Sequence, residues 1–239
     1  MTRRDRTTCM AGDDISPRPP EIGHPSERPR LQMGLLRRTW DERVYPHLLD
    51  RVCGTDAISV ERRRCIAGAT GLVLEVGVGS GLNLPLFDPR SVTDVVGVDP
   101  SAPLLARAAD RPCAVPVELT RAVAEALPFD ADRFDTVIFT YTLCSVDDPA
   151  KALREARRVL RTDGRLLFVE HGRSPDPAVA RWQRRLTPLW RTVSGNCHLD
   201  RDVTHEIEAA GLTVEELGGY LSHHRPGWLS HAYVGVATN

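Results

Sequence analysis

Three glycines at alternate positions follow an apolar run that carries an acid near its end. The run is Val73–Val76, its acid is Glu75, and the glycines occupy positions 77, 79 and 81. Glycine has no Cβ, so such a loop can turn tightly and bring its backbone close to a ligand. About 20 residues later a second apolar run ends in Asp99, the offset at which nucleotide-binding folds place a ribose-binding acid. Together these features predict a bound nucleoside.

The spacing of the glycines distinguishes between kinds of nucleotide site. A dinucleotide site reads G-x-G-x-x-G/A, whereas here Leu82 stands at the last small position and the third glycine comes one residue early, at Gly81. No Gly-Lys-Ser/Thr follows, so a P-loop is excluded. An incidental glycine-rich turn is the non-functional alternative, and the paired acid argues against it.

The composition is typical of one globular domain. The 239 residues are 41% hydrophobic with a formal net charge of -1. No apolar run reaches the ~18 residues of a membrane span, no signal peptide is apparent, and the near-neutral charge argues against a nucleic-acid partner. Six cysteines are scattered without a C-x-x-C pair, which favours reduced thiols over disulfides or zinc. We therefore predict a cytoplasmic protein with no metal site.

Alternating patterns predict the elements that position these residues. Residues 1–30, rich in Arg, Asp and Pro, predict a disordered tail, and residues 31–239 predict one domain with N-terminal helices over 31–70. Repeated strand–helix units predict an α/β fold, a Rossmann-like seven-stranded mostly parallel sheet with helices on both faces. Ligands of such sheets bind beyond the carboxyl ends of the strands. The predicted strands are Leu72–Val76, Asp94–Val98, Val115–Leu119, Thr136–Thr140, Arg165–Glu170, Thr213–Gly219 and Ala232–Ala237, and the predicted helices are Val60–Ala67, Leu82–Leu86, Ala102–Arg111, Pro149–Leu160 and Arg201–Ala210.

The E-x-G-x-G-x-G sequence from residue 75 resembles the first motif of class I S-adenosylmethionine (SAM) methyltransferases, with a type 11 (UbiE-like) core. Residues 124–129 and 134–137 are similar to the adenine-side motif and the fourth strand of that family. Residues 153–166 resemble the helix–turn–strand segment before its substrate region. The resemblance covers about residues 72–170, and the order of the motifs is its most specific feature.

This resemblance implies SAM as the cofactor, with the glycine loop around its methionine part and Asp99 on its ribose. It also implies that Glu125 and the Ala124 backbone face the adenine and that Thr140 lies near the sulfonium. Many relatives carry an acid where this chain has Val123, so a hydrogen bond to the adenine is either missing or supplied by Glu125. An acid at a helix N-terminus is the structural alternative for Glu125. The implied cofactor-binding residues are Glu75, Gly77, Gly79, Gly81, Asp99, Pro100, Ala124, Glu125 and Thr140.

The later segments narrow the resemblance to one branch. Residues 140–146, 170–171 and 195–202 are similar to the small methyltransferase-like proteins that S-methylate alkyl thiols. Animal members of that branch carry an apolar N-terminal membrane anchor, which the polar tail here lacks. The branch implies a substrate-side insertion over 171–200 and a small, apolar acceptor, with a thiol slightly preferred. Phospholipid N-methyltransferases and quinone C- or O-methyltransferases share the core motifs and stay open as alternatives.

Methyl transfer to a thiol needs little help from the protein, because a thiol is partly ionised near neutral pH. An amine, phenol or enol requires a base, and the candidates are His171, His198 and Asp200. His171 follows the predicted fifth strand, where the family places substrate, and a hydrogen-bonded structural role is its alternative. The segment Cys197–Asp200 lacks the second ligand pair of a metal site, so Asp200 is interpreted as a helix cap.

Apolar residues recur at helical spacing between Val179 and Val193, with arginines at the other positions. We predict a helix that packs on its own domain or walls a substrate cavity, and a membrane-surface helix is the less favoured alternative. The predicted partners are SAM and a small-molecule acceptor. A non-catalytic SAM-binding protein and a nicotinamide-dependent oxidoreductase are rivals from other classes, and the positions of Gly81 and Leu82 disfavour the second.

Overall fold

The computed structural model of this chain describes residue 51 and residues 53–221 and 231–239. The tail predicted over 1–30 and the helical pattern up to residue 50 lie outside these residues. The strands are β1 (Gly71–Val76), β2 (Val92–Asp99), β3 (Val117–Arg121), β4 (Phe134–Thr140), β5 (Leu160–His171), β6 (Thr213–Leu221) and β7 (His231–Thr238). The helices are α1 (Asp56–Ile66), α2 (Ala102–Ala109), α3 (Pro149–Val159), α4 (Pro177–Val193) and α5 (Val203–Ala209), with a 3₁₀ turn at Leu84–Leu86.

The strands form one sheet in the order β3-β2-β1-β4-β5-β7-β6. Strands β1 to β5 are parallel, and β7 runs antiparallel to both of its neighbours. The predicted seven-stranded, mostly parallel sheet is therefore confirmed. The strand order reverses at β1, which lies between β2 and β4, so the carboxyl ends of these three strands frame the site expected for a ligand.

Both faces of the sheet are buried. Val73 and Leu74 of β1 are each 0% exposed and enter different cores. Val73 packs in a core with Ile66 of α1 and Ala108 of α2, whereas Leu74 packs in a core with Leu153 of α3 and with α5. A strand covered on both faces reads as a continuous apolar run, because successive side chains point to opposite sides. The helices on both faces are therefore as predicted.

Some boundaries differ from those predicted. The helix expected over residues 82–86 is only a 3₁₀ turn over Leu84–Leu86, because the backbone is already extended at Phe87 and a run this short suits 3₁₀ geometry. Helix α5 begins at Val203 and is capped by Asp202, whose carboxylate accepts the His205 N–H, so the interpretation of Asp200 as the cap was wrong. Asp148 caps α3 by accepting the Lys151 N–H at 2.9 Å.

Helix α4 contacts the domain through polar residues as well as apolar ones. Gln183 is buried, accepts the Ser174 N–H at 2.8 Å and donates to the Gly172 carbonyl at 3.1 Å. Only part of the predicted apolar stripe is buried. Leu186 and Trp190 pack inward, whereas Trp182, Leu189 and Val193 are exposed. Over the described ranges, none of the helices has the length and apolar character needed to cross a bilayer.

Candidate active site

The predicted acid and the predicted glycine loop meet in space. Asp99 is the last residue of β2, and its Oδ2 accepts the Gly79 N–H at 3.1 Å. Its Oδ1 accepts the Ser101 N–H at 2.8 Å. Burial raises the pKa of Asp99, and the two N–H donors oppose that shift. The carboxylate is therefore fixed against the loop at the carboxyl end of its strand.

The glycines of the loop serve different purposes. Gly77 has φ +77°, and a Cβ there would lie 2.2 Å from the Thr142 hydroxyl, so this glycine lets the segment after β4 pack against the loop. Gly79 has φ +55°, and a Cβ there would meet nothing nearer than 3.9 Å. A Cβ at Gly81 would lie 3.0 Å from Ala108 Cα of α2. Only Gly79 faces open space beside the Asp99 carboxylate.

That open space is part of a cavity of about 470 Å³. Its volume lies within the ~300–1,000 Å³ typical of small-molecule sites. The ends of β1, β2 and β4 form its floor, and residues 122–125, 145–147 and 195–196 complete its walls. The implied cofactor-binding residues that line it are Gly77, Gly79, Asp99, Pro100, Ala124, Glu125 and Thr140. Glu75 and Gly81 lie outside this lining.

A buried polar network lies beneath the glycine loop. Asn83, 0% exposed, donates through Nδ2 to Glu75 Oε1 at 2.7 Å and to Thr140 Oγ1 at 2.9 Å. Burial raises the pKa of Glu75 to about 7, although the Asn83 hydrogen bond and the charge of Arg62 lower it. The network ties the acid of β1 to the end of β4, and therefore holds two sides of the cavity floor together.

Arg62 of α1 joins this network and also lines the cavity. Its Nη1 donates to Asn83 Oδ1 at 3.0 Å and to Thr140 Oγ1 at 3.3 Å, and its guanidinium lies 5.4 Å from the centre of the Tyr141 ring. Sequence reasoning missed both Arg62 and Asn83. Nothing in the run Arg62–Arg64 distinguishes its buried first member from the two exposed ones.

Tyr141 follows β4 and carries a left-handed backbone with φ +55°. This conformation is costly for a bulky residue, and strained residues of this kind cluster at functional sites. The side chain packs edge-on against His171, with ring centres 5.1 Å apart, and Tyr141 lines the cavity. The end of the cavity next to Thr140 is therefore formed by an aromatic ring with a cation beside it.

The two histidines considered as bases are placed outside the cavity lining. His171 lies behind Tyr141 at the end of β5. The His198 N–H donates to the Cys144 carbonyl at 2.7 Å, and its imidazole is half-buried. Burial and the nearby Arg201 and Arg191 lower the pKa of His198. Direct roles for either histidine stay predictions. The described part of the chain contains no group of three or more His, Cys, Asp or Glu side chains suited to a metal ion.

Glu170 organises the segment after β4. Its carboxylate accepts the N–H groups of Thr142, Leu143 and Cys144 at 2.6, 2.8 and 3.1 Å. Burial raises the pKa of Glu170 to about 7, and the three donors oppose that shift. The sequence pattern marks Glu170 only as the last residue of the predicted strand Arg165–Glu170. Its role as a fixed acceptor depends on the pairing of β4 with β5.

The segment over residues 124–129, at which the resemblance places the adenine, is held by α3. Glu155 Oε2 accepts the Leu127 N–H at 3.0 Å, and Arg158 donates to the Phe129 carbonyl at 2.7 Å. Glu125 Oε1 accepts the N–H groups of residues 147 and 148 at 3.1 and 3.2 Å, at the start of α3. This is the structural role considered for Glu125, and its contact with an adenine stays a prediction. Val123 is 45% exposed at the cavity edge.

Comparison with known proteins finds a family whose model matches the central part of this chain. Residues 74–168 match the family described as "Methyltransferase domain". This part of the chain is therefore similar to the methyltransferase domain family. The family implies an enzyme that uses SAM as its cofactor. The methyltransferase domain contains the glycine loop, Asp99 and Thr140, whereas α4 and the segment 195–202 lie beyond the match.

Several curated relatives extend past this domain. The chain is 31% identical over 162 residues to the thiol S-methyltransferase TMT1B of Rattus norvegicus, covering 61% of each protein. It is 32% identical over 164 residues to the Homo sapiens protein of the same name, covering 61% of this chain and 62% of that protein. It therefore spans about three fifths of the length of these relatives. It is also 39% identical over 117 residues to a phosphatidylethanolamine N-methyltransferase of Cereibacter sphaeroides, covering 46% of this chain and 57% of that protein.

Solved structures share the fold at low sequence identity. The [4+2]-cyclase SpnF superposes with a TM-score of 0.63 at 18% identity, covering 85% of this chain and 95% of that one. A SAM-dependent methyltransferase of Thermotoga maritima, described as a possible histamine N-methyltransferase, superposes with a TM-score of 0.61 at 20% identity. The superposition covers 84% of this chain and 98% of that one. The chain has the class I methyltransferase fold.

Proposed function

We propose that this chain is a SAM-dependent methyltransferase that moves a methyl group to a small, apolar acceptor, with a thiol slightly preferred. The contact between Asp99 and Gly79 at the edge of the 470 Å³ cavity carries this proposal. A carboxylate held by backbone donors can accept hydrogen bonds from two vicinal hydroxyls, and the open side of Gly79 leaves room for a ligand beside it. The residues present therefore fit the cofactor that the family implies.

When bound, SAM supplies a methyl group already activated on a sulfonium. The tasks of this chain are then to hold the acceptor close to that group and to exclude water. Thr140 and Tyr141 line the end of the cavity at which the resemblance places the sulfonium. We assign the acceptor to this end, between the Tyr141 ring and the segment at Asn196.

Arg62 supports a thiol acceptor over an amine. A guanidinium at the cavity wall favours a thiolate and lowers the pKa of a bound thiol, whereas it opposes the positive charge that develops on an amine nitrogen as that nitrogen takes up the methyl group. A thiol with its ordinary pKa of ~8.5 is a few per cent thiolate at neutral pH. The positive charge of Arg62 raises that fraction, so the nucleophile forms without a dedicated base. The thiol S-methyltransferase relatives agree with this chemistry.

A phospholipid N-methyltransferase is the second candidate function. The relative from Cereibacter sphaeroides has the higher identity, 39%, over a shorter match. The exposed Trp182 and Leu189 of α4, with arginines nearby, suit a protein that collects its acceptor from a lipid surface. A quinone C- or O-methyltransferase requires a base near Tyr141, and His171, which packs against that ring, is the candidate.

The test is a methyl-transfer assay with labelled SAM and four acceptors: an alkyl thiol, a phenol, a primary amine and vesicles containing phosphatidylethanolamine. We expect a methyl thioether and S-adenosylhomocysteine, at a rate that rises from pH 7 towards 8.5. Labelled lipid as the main product would instead support the second candidate. Binding of S-adenosylhomocysteine with no product in any arm would show a non-catalytic binder. Titration with NADH, followed by fluorescence, tests the oxidoreductase rival.

A further inference from the structure

Two cysteines that are distant in the sequence meet beside the cavity. Cys144 follows β4, Cys197 follows α4, and both are buried in one apolar cluster with Leu199 and Trp190. The His198 N–H donates to the Cys144 carbonyl at 2.7 Å, which places the two backbone segments side by side. Each thiol is the largest influence on the pKa of the other. Both are free thiols.

The surroundings give the two thiols different properties. The neighbouring Cys144 thiol is the main cause that lowers the pKa of Cys197, and His171 and Trp190 lower it further. The Cys144 pKa is raised by sharing its proton with Cys197 and by burial. Donors around a sulfur stabilise the thiolate, which is the form that reacts with oxidants. The Cys197 sulfur is therefore the one that reacts with an oxidant, and the Cys144 thiol keeps its proton.

Cys144 and Cys197 lie where two segments of the cavity wall, residues 142–147 and 195–201, contact each other. Asn196 Nδ2 donates to the Ser145 carbonyl at 2.9 Å, and both residues line the cavity. Arg201 donates to the carbonyls of Leu143 and Val146. Cys197 directly follows the cavity-lining Asn196 and keeps 8% of its surface exposed, which leaves an approach for a molecule as small as hydrogen peroxide.

We propose that Cys144 and Cys197 form a peroxide-reactive dithiol whose oxidation to a disulfide locks the 195–201 segment onto the 142–147 segment. The Cys197 thiolate attacks the peroxide, its sulfur becomes a sulfenic acid, and hydroxide leaves. The Cys144 sulfur then attacks that sulfenic acid, an S–S bond forms, and water leaves. Two thiols and one hydrogen peroxide thus give one disulfide and two waters. This proposal is independent of the identity of the methyl acceptor.

The test treats the reduced full-length protein with hydrogen peroxide and maps its peptides by mass spectrometry without reductant. We expect one linked pair, Cys144 with Cys197, which dithiothreitol reverses. In Cys144→Ser the sulfenic acid has no partner, so dimedone should label Cys197. In Cys197→Ser neither the link nor the label at this site should form. Cys113→Ser, which changes a half-buried thiol outside the pair, should leave the link intact.

Hydrogen exchange supplies a second measurement. The amides of residues 195–201 should exchange several-fold more slowly in the oxidised wild type than in the reduced protein, and Cys197→Ser should show no such difference. A link through Cys53 or Cys113, or a wild-type Cys197 sulfenic acid that persists without a link, would overturn the proposal. Lack of reaction in folded, reduced protein would do the same.

Discussion

The carboxylate of Asp99 accepts the backbone N–H of Gly79 at 3.1 Å across 20 residues of sequence. A strand end and a turn are thereby held together at the place where a ribose is expected. Asp99 is buried, so a ligand hydroxyl that bonds to its carboxylate gains charge-assisted hydrogen bonds in a protected environment.

Replacement of Asp99 by alanine should weaken cofactor binding. Loss of hydrogen bonds to a charged group costs ~1.5–3 kcal/mol, which is roughly a 10- to 150-fold increase in Kd. Calorimetry with S-adenosylhomocysteine measures this change. Asp94→Ala, on the exposed part of the same strand, is the matched control and should bind like wild type. Equal affinity in Asp99→Ala and Asp94→Ala would disprove the ribose assignment.

The two glycines at 77 and 79 should respond differently to alanine. At Gly79 the added methyl meets open space, so the cost to folding is ~1–2 kcal/mol of backbone strain, while the methyl intrudes on the cofactor cavity. At Gly77 the methyl also collides with Thr142, so folding should suffer more. Denaturant melts and calorimetry of both variants test this. A Gly79→Ala protein with unchanged Kd would place the cofactor elsewhere.

Arg62→Met should destabilise the fold, because Asn83 and Thr140 lose a buried charged donor and Glu75 loses a favourable charge. The expected loss is ~1.5–3 kcal/mol in the free energy of unfolding. Arg63→Met changes an exposed neighbour on the same helix and should have little effect. Urea denaturation of both variants compares them directly. Equal stability would mean that the buried network carries little energy.

Stability should fall as pH rises through about 7. Burial raises the folded-state pKa of Glu75 and of Glu170 from 4.5 to about 7, so the folded chain holds protons more tightly than the unfolded chain. Their contribution is complete below pH 4.5 and is lost as pH rises through 7. For Glu75 alone, the loss between pH 5 and pH 8 is roughly 2–3 kcal/mol.

Glu75→Gln should remove the contribution of Glu75 to the pH dependence of the free energy of unfolding. Glutamine can keep the hydrogen bond from Asn83, and within the described part of the chain Glu75 Oε2 has no hydrogen-bond partner to lose. Unfolding free energies at pH 5 and pH 8 should therefore differ less in this variant than in wild type. Glu118→Gln, at an exposed position of β3, serves as the control. Parallel pH profiles for Glu75→Gln and wild type would contradict the shifted pKa.

The parts of the site that were predictable are those encoded by local pattern. The glycine loop and Asp99 follow apolar runs, and the rule that parallel strands present their carboxyl ends together was enough to predict that they meet. The motif around residue 125 and the pattern of α3 were both recognised, but their contact through Glu155 and Arg158 was not. A motif identifies a segment, whereas its hydrogen-bond partner depends on which segment packs beside it.

The sequence by itself determined the order of strands and helices and the ligand-binding edge of the sheet, because these depend on periodicity, turn residues and spacing within short stretches. The class of cofactor was implied by the resemblance of those stretches to a known family. The tertiary structure alone decided which arginine of the run 62–64 is buried and that Glu170 holds the segment after β4. It also decided that Cys144 meets Cys197. Each of these depends on contacts between residues far apart in the chain, whose partners are set by how the helices pack on the two faces of the sheet.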